Sequence, residues 1–229
     1  SKTKSEYKKG FIKMLFQTVK SEIVSHLSYI IGNNNEAAVI DPRRDCKIYI
    51  KIAKNWGAKI KYIFETHRNE DYVIGSLELE RLTGATIFHG PGLLWGFGKI
   101  IQDNQEIKLG TIKVKALHTP GHSPDSTSYV LYDLESGEEP VMVFTGDTLF
   151  VGDVGRTDFL GEKMTPIMAG KLYDSINNKL FTLGDGVIVC PGHGSGSVCG
   201  GKIRQREIST IGIEMKTNPM LNLSKDDFV

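Results

Sequence analysis

Four short motifs place a histidine or an aspartate shortly after a run of apolar residues. The four pairs are His67 after Ile60–Phe64, His122 after Ile112–Leu117, Asp147 after Val141–Phe144, and His193 after Val187–Cys190. Runs rich in β-branched and aromatic residues predict strands when polar residues bound them. Metal-binding and catalytic groups are commonly held in the loops where strands end. The sequence therefore predicts a metal site assembled from loops at one edge of a sheet.

Three of these residues, His67, His122 and Asp147, offer two imidazoles and one carboxylate. Three protein ligands on one side of a metal leave its other positions open. Two histidines and one carboxylate form the facial triad of non-haem ferrous oxygenases. A zinc hydrolase with three protein ligands is compatible with the same residues, so the number of ligands does not separate the two.

These motifs resemble those of the metallo-β-lactamase fold superfamily, from about Met14 to the end of the chain. The full pattern there is His-x-His-x-Asp-His, then a histidine in a Pro-Gly-His turn, an aspartate in a Thr-Gly-Asp turn and a final histidine. Asn69 and Tyr72 stand here where that pattern has histidines. Residues 155–159, 191–200 and 217–221 look like the persulfide dioxygenase branch, including its rhodanese-linked members.

The resemblance implies an α+β fold, an αβ/βα sandwich of two mixed β-sheets with helices on the outside. It also implies one Fe(II) per chain, bound by His67, His122 and Asp147, with zinc as the alternative. The implied reaction oxidises a low-molecular-weight thiol persulfide with dioxygen to sulfite and the free thiol. Asn69 is a poor substitute for imidazole and neutral Tyr72 is a poor ligand, so we expect no second metal.

Four further residues are candidates for catalytic roles. Asp71 could orient a metal-bound histidine through its second ring nitrogen. His193 could hydrogen-bond substrate or water without binding the metal, and Tyr72 could offer its hydroxyl to bound sulfur or oxygen. Arg156 could clamp a substrate carboxylate or brace its loop through Asp158, and we favour the bracing role. Cys199 is either a sulfur carrier or a packed thiol.

The implied substrate is glutathione persulfide, although another thiol such as coenzyme A could carry the sulfur. Two other classes of function stay open. One is a metallo-hydrolase of the glyoxalase II type that acts on a thioester. The other is a non-catalytic sulfur-binding module, and a rhodanese-like sulfurtransferase is a possible partner for the chain. We also expect a homo-oligomer.

The composition is that of an ordinary globular protein, with 40% hydrophobic and 24% charged residues among 229. The formal net charge of +1 predicts no nucleic-acid or membrane partner. Three cysteines form no disulfide framework, which favours a cytoplasmic location. We predict a single domain over 1–229, with 1–12 as a flexible tail.

Helical spacing predicts helices over Ile48–Trp56, Val73–Leu82 and Met164–Leu180. The residues Gly32–Asn35 between two apolar runs predict a hairpin. The loop Gly90–Lys99 is rich in glycine and apolar residues, which suits either core packing or one wall of the site.

Overall fold

The computed structural model describes residues 14–21, 24–33, 35–69, 73–206 and 208–229. Within these ranges the chain forms two six-stranded sheets. Asp71, Tyr72 and the tail predicted over 1–12 lie outside the described residues, so their expected roles stay predictions.

The first sheet contains the strands of the N-terminal half in the order in which they occur along the chain. They are β1 (Leu15–Ser21), β2 (His26–Gly32), β3 (Glu36–Ile40), β4 (Lys59–Glu65), β5 (Thr86–His89) and β6 (Lys99–Ile100). Strands β1, β2 and β3 pair antiparallel, and the predicted hairpin joins β2 to β3. Strands β3 to β6 are parallel, so the chain crosses between them through helices or loops.

The second sheet contains the remaining strands in reverse order, from the last to the seventh. They are β7 (Glu106–Leu109), β8 (Ile112–His118), β9 (Thr127–Asp133), β10 (Pro140–Gly146), β11 (Ile188–Pro191) and β12 (Ser209–Thr210). Only β10 and β11 pair parallel, with a helical crossover between them. Both sheets are therefore mixed, as the sequence predicted.

Helices cover the outer face of each sheet. The α-helices are α1 (Lys47–Asn55), α2 (Ser76–Thr83), α3 (Thr165–Ser175), α4 (Ile211–Thr217) and α5 (Lys225–Phe228). One core lies between the sheets and is rich in aromatic rings, including Phe64, Tyr129 and Phe144. A second core joins the first sheet to α1 and α2, and a third joins the second sheet to α3, α4 and α5. The predicted αβ/βα sandwich is confirmed.

The structure departs from the predicted elements mainly in three segments. The helix expected from Val73 begins at Ser76, because Ile74 forms an antiparallel bridge with Arg43. The helix expected to reach Leu180 ends at Ser175 and continues as a π-helical turn over Ile176–Leu180. The polar stretch after residue 201 contains β12, which the sequence did not predict, and α4.

The four predicted motif strands exist, but they do not share one sheet. Strand β4 belongs to the first sheet, whereas β8, β10 and β11 belong to the second. The expected site at one edge of a sheet therefore lies where the loops of two facing sheets meet. None of the helices in the described ranges is long and apolar enough to cross a bilayer.

Candidate metal centre

His67, His122 and Asp147 come together at this junction, and all three side chains are buried. Each offers one ligand atom, and these atoms lie within 4.8 Å of one another. The carboxylate Oδ2 of Asp147 is 3.5 Å from Nε2 of His122 and 3.9 Å from Nε2 of His67. Both distances are too long for a good hydrogen bond. Metal–ligand bonds of about 2 Å would bridge them with small adjustments.

The ring of His67 is oriented by a chain of buried hydrogen bonds from the first sheet. Nδ1 of His67 is 3.0 Å from the Thr66 hydroxyl, which donates to Oδ2 of Asp41 at 2.8 Å. Oδ1 of Asp41 accepts the backbone N–H of Thr66 at 2.7 Å. Because the hydroxyl proton is given to Asp41, Nδ1 is the donor to Thr66, and Nε2 keeps its lone pair for a metal.

Beneath His67 lie two buried carboxyl groups, Asp41 and Glu65. Burial raises the pKa of Asp41 to about 7, against the hydrogen bonds that Thr66 donates. Burial, with the Asp41 charge nearby, raises the pKa of Glu65 well above its usual value. Ser76 at the start of α2 donates its hydroxyl to Glu65. The hydrogen bonds behind His67 therefore lead to two buried carboxyl groups, and one of these accepts a hydrogen bond from the first residue of α2.

His122 is held differently, through the backbone of the loop that follows Asp147. Its Nδ1 is 2.9 Å from the carbonyl oxygen of Arg156 and must donate to it. In the neutral tautomer, this leaves Nε2, which faces Asp147, with a lone pair for a metal. The guanidinium of Arg156 forms a two-pronged ion pair with Asp158, at 2.6 and 2.8 Å. The contact that loop bracing requires is thus present, and the role itself stays a prediction.

Asp147 is the shared centre of the site. Burial alone would raise the pKa of its carboxyl, but His193, His67 and His122 hold it well below its usual value. Nδ1 of His193 lies 2.8 Å from Oδ1 of Asp147 and donates to it. Burial lowers the pKa of His67 to about 4, so that ring is neutral and able to bind a metal at pH 7. The geometry supports His193 as a hydrogen-bond donor to the carboxylate.

Gly146 lets the loop of the second sheet approach the loop of the first. Its φ of +51° favours glycine. A Cβ at this position would also collide with the hydroxyl and the Cβ of Thr66. Any larger residue would push Asp147 away from His67, which explains the glycine before the aspartate.

Asp125 joins three loops around the site, and the sequence reading did not find it. Its Oδ2 accepts the backbone N–H of Arg68 and the indole N–H of Trp95, both at 2.9 Å. Its Oδ1 accepts the hydroxyl of Ser123 at 2.7 Å. The loops that carry His67 and His122 are therefore tied to each other and to the glycine-rich loop. In the sequence, only its position three residues after His122 indicated that Asp125 lies near the site.

A cavity of about 320 Å³ opens over His67 and His122, and we call it the ligand cavity. Leu93, Phe159 and Leu160 give it an apolar wall, and Arg68 adds a positive charge. Leu93 belongs to the loop Gly90–Lys99, whose Trp95 is buried. That loop therefore both buries a side chain in the core and forms one wall of the site, the two roles that the sequence left open.

Cys199 also lines the ligand cavity, and only 2% of its surface is exposed. With Asp147 and His193 it forms a second group of potential ligands whose atoms lie within 4.8 Å of one another. All three cysteines are buried and none forms a disulfide. The thiol is thus packed and close to the centre at the same time, and its role as a sulfur carrier stays a prediction.

The family model of the metallo-beta-lactamase superfamily matches residues 98–193. The bovine mitochondrial persulfide dioxygenase ETHE1 is 29% identical over 214 residues, which are 88% of this chain and 74% of that protein. The hydroxyacylglutathione hydrolase GloC of Haemophilus influenzae is also 29% identical, over 85% of this chain and 92% of that protein. These two relatives carry different activities at the same identity.

Solved structures give the same fold. ETHE1 from Myxococcus xanthus has a TM-score of 0.80 and 30% identity, covering 94% of this chain and 88% of that one. A metallo-beta-lactamase from Staphylococcus aureus has a TM-score of 0.86 and 33% identity. The chain spans only 65% of the length of that staphylococcal protein. Together with the buried donor set, these relatives indicate a metal-dependent enzyme.

Proposed function

Because the chain belongs to the metallo-beta-lactamase superfamily, we propose that it is an iron-dependent persulfide dioxygenase. The substrate is a low-molecular-weight thiol persulfide, RSSH, such as glutathione persulfide. In the balanced reaction RSSH, dioxygen and water give the thiol RSH, sulfite and two protons. The sulfur–sulfur bond breaks, the outer sulfur is oxidised, and dioxygen is reduced.

The observation that carries the proposal is the position of Asn69. Its amide Nδ2 donates to the carbonyl oxygen of His67 at 3.2 Å, so the side chain is folded back on its own loop. An amide is also a much weaker partner than imidazole for iron or zinc. The two-metal hydrolases of the superfamily place a histidine at this position. Asn69 therefore supports a site for one metal, with two imidazoles and one carboxylate.

In this proposal the residues of the site have three separate roles: they bind the metal, stabilise its carboxylate ligand and exclude water. Ferrous iron held by His67, His122 and Asp147 would supply the redox chemistry that dioxygen requires. The fixed Nδ1 hydrogen bonds of the two histidines keep their rings in place. His193 donates its Nδ1–H to Oδ1 of Asp147 and so stabilises the carboxylate as an anion. The apolar wall of the ligand cavity limits the access of water to a bound persulfide.

Anaerobic metal analysis combined with an oxygen electrode tests the proposal. We expect one iron per chain, with oxygen uptake and sulfite release in equal amounts when glutathione persulfide is added. His122→Gln should lose both the iron and the uptake. His118→Gln is the matched control, because His118 bonds the carbonyl oxygen of Pro124 rather than the metal group. Two zinc ions per chain and no oxygen uptake after iron loading would refute the proposal.

A hydrolase of the glyoxalase II type is the second candidate, supported by the similarity to the GloC hydrolase and by a donor set that zinc accepts. A 2-hydroxyacyl thioester of glutathione, assayed with zinc-loaded protein, tests it directly. Hydrolysis lost in His122→Gln and retained in His118→Gln would favour this candidate. Persulfide binding without turnover under either metal would instead indicate a sulfur-binding module.

A further inference from the structure

The ring of His89 bridges the two ends of the glycine-rich loop, residues 90–99. His89 is the last residue of β5, and only 4% of it is exposed. Its Nδ1 lies 3.0 Å from the carbonyl oxygen of Gly90, at the start of the loop. Its Nε2 lies 3.0 Å from the carbonyl oxygen of Phe97, near the end of the loop. A single imidazole therefore holds together the segment that contributes Leu93 to the ligand cavity.

The two carbonyl oxygens restrict the protonation state of this ring. A carbonyl oxygen only accepts hydrogen bonds, so each contact requires an N–H on the imidazole. A neutral imidazole has one N–H, and its other nitrogen carries a lone pair. In either neutral tautomer a lone pair would therefore point at a carbonyl oxygen at a buried position, which is a repulsive contact. Turning the ring over would place carbon atoms against both oxygens and lose both bonds. The imidazolium satisfies both contacts.

The surroundings of His89 also favour a cation. The indole of Trp95 lies nearly parallel to the ring, with centroids 4.8 Å apart and planes inclined by 11°. The face of an indole attracts a positive charge. The indole N–H donates to the carboxylate of Asp125 at 2.9 Å, so a negative charge lies at the edge of the indole. The other ionisable side chains on the neighbouring elements are those of Glu65 on β4, Arg68 on the loop after it, and Lys99 on β6.

The glycine-rich loop is packed closely against the segment 124–127, which follows the turn at the end of β8. A Cβ added to Gly90 or Gly92 would collide with that segment. The segment contains Asp125, which joins the loop after β4 to the loop after β8. The position of the glycine-rich loop therefore affects the wall of the ligand cavity directly and the loops of the metal centre through Asp125.

We propose that His89 is a positioning residue that works as an imidazolium and fixes the wall of the ligand cavity. Its two N–H groups hold the ends of the glycine-rich loop together, and its stacked ring holds Trp95 beside Asp125. Leu93, between these anchored points, then lies against the cavity. The inference concerns the protein wall of the site and not the reaction, so it applies to a dioxygenase and to a hydrolase alike.

Nitrogen NMR of the side chain tests the protonation state directly. Long-range nitrogen–proton correlation spectra of the zinc-loaded protein separate protonated ring nitrogens from unprotonated ones. We expect both nitrogens of His89 to be protonated at about pH 7, where histidines in water are mostly neutral. His89→Phe assigns the signals, because it deletes the imidazole and keeps an aromatic ring beside Trp95. If that variant does not fold, backbone assignment of the wild-type protein identifies the same signals. One unprotonated nitrogen in His89 would overturn the proposal.

Kinetics test the positioning role, with whichever of the persulfide and the thioester the protein turns over. At about pH 6, His89→Phe should have a KM about tenfold higher than the wild-type protein and a kcat within about twofold, because the wall moves and the metal ligands stay. The ratio of the two KM values should fall as the pH rises to about 8, since the wild-type ring then loses its second proton. Taking the ratio cancels the ionisation of the substrate. Arg81→Gln is the matched control, because it removes a cation that pairs with Glu78 on α2.

The positioning role and the proposed function fail in different ways. Equal KM values for His89→Phe and the wild-type protein at about pH 6 would overturn the positioning role. A KM ratio that does not change with pH would also overturn it, because the second proton would then play no part. If neither substrate is turned over, the proposed function fails, and the NMR spectra still decide between the imidazolium and the neutral ring.

Discussion

The two sides of Asp147 are built in different ways from the same kind of residue. On one side, His67 and His122 give their Nδ1 protons to other protein oxygens and leave their Nε2 atoms 3.9 and 3.5 Å from the carboxylate. On the other side, His193 gives its Nδ1 proton to the carboxylate itself, at 2.8 Å. The first arrangement leaves space for a cation between the groups, and the second does not. Similar residue types at strand ends therefore need not share a role.

Removing a group from each side gives the largest expected contrast. Asp147→Asn should lose the metal and lower kcat by more than about 100-fold, because the central anionic ligand is gone. His193→Gln should keep the metal and lower kcat by a smaller factor. Metal content per chain and oxygen uptake measure both effects. Loss of metal in His193→Gln to the same degree as in Asp147→Asn would show that the two sides are equivalent.

His67 and His122, the two histidines of the proposed metal site, also differ in how their supporting hydrogen bonds can be removed. Asp41→Asn should weaken metal binding by about 10- to 100-fold, because an amide nitrogen cannot accept one of the two hydrogen bonds from Thr66. No side-chain substitution can delete the backbone carbonyl that holds His122. Competition with a chelator measures the affinity. Asp45→Asn is the control, since Asp45 is exposed and pairs with Arg43.

Affinity equal to wild type in Asp41→Asn would mean that His67 needs no fixed tautomer. Thr66→Val separates the two links of this chain of hydrogen bonds. It removes the hydroxyl between His67 and Asp41 and leaves the backbone N–H bond to Asp41 intact. We expect its affinity to fall as well, because the ring then loses its acceptor.

The resemblance of the motifs to a known family implied the sandwich of two mixed sheets. The sequence itself was sufficient to predict the four strands that end near His67, His122, Asp147 and His193, because local alternation and strand-end glycines mark them. It did not predict that β4 lies in a different sheet from the other three strands, because pairing between distant strands has no local signature. The supports were missed for the same reason. Asp41 and Thr66 are 25 residues apart, and Asp125 is 57 residues from Arg68.

Acid stability tests the side of Asp147 that carries His193 and His26. Burial, and then the neighbouring His193, lowers the pKa of His26 to about 3, from 6.5 in an unfolded chain. The unfolded chain therefore binds a proton first as the pH falls. This group's contribution to stability is complete above pH 6.5 and is lost as the pH drops towards 3. The loss is roughly 1.4 kcal/mol per pH unit, or about 2 kcal/mol between pH 6.5 and 5.

Urea unfolding of metal-free protein at several pH values measures this effect. His26→Gln should flatten the decline in the free energy of unfolding between pH 6.5 and 5. His118→Gln, at a half-buried position on β8, is the matched histidine control. Identical pH dependence in His26→Gln and the wild-type protein would show that the ring of His26 takes up a proton without cost.

The smallest effect is expected where the His122 side meets solvent, at Arg156. Both side chains of the Arg156–Asp158 ion pair are nearly half exposed. Such pairs contribute about 1 kcal/mol or less. Arg156→Lys would replace a two-pronged contact by a single one and loosen the loop. Because the carbonyl oxygen of Arg156 still holds His122, we expect nearly normal iron content and a twofold to fivefold fall in kcat/KM, about what such an energy allows. Steady-state kinetics with parallel iron analysis measure this. Iron loss would mean that the pair also positions His122, whereas wild-type kinetics would exclude both the bracing and the clamping roles.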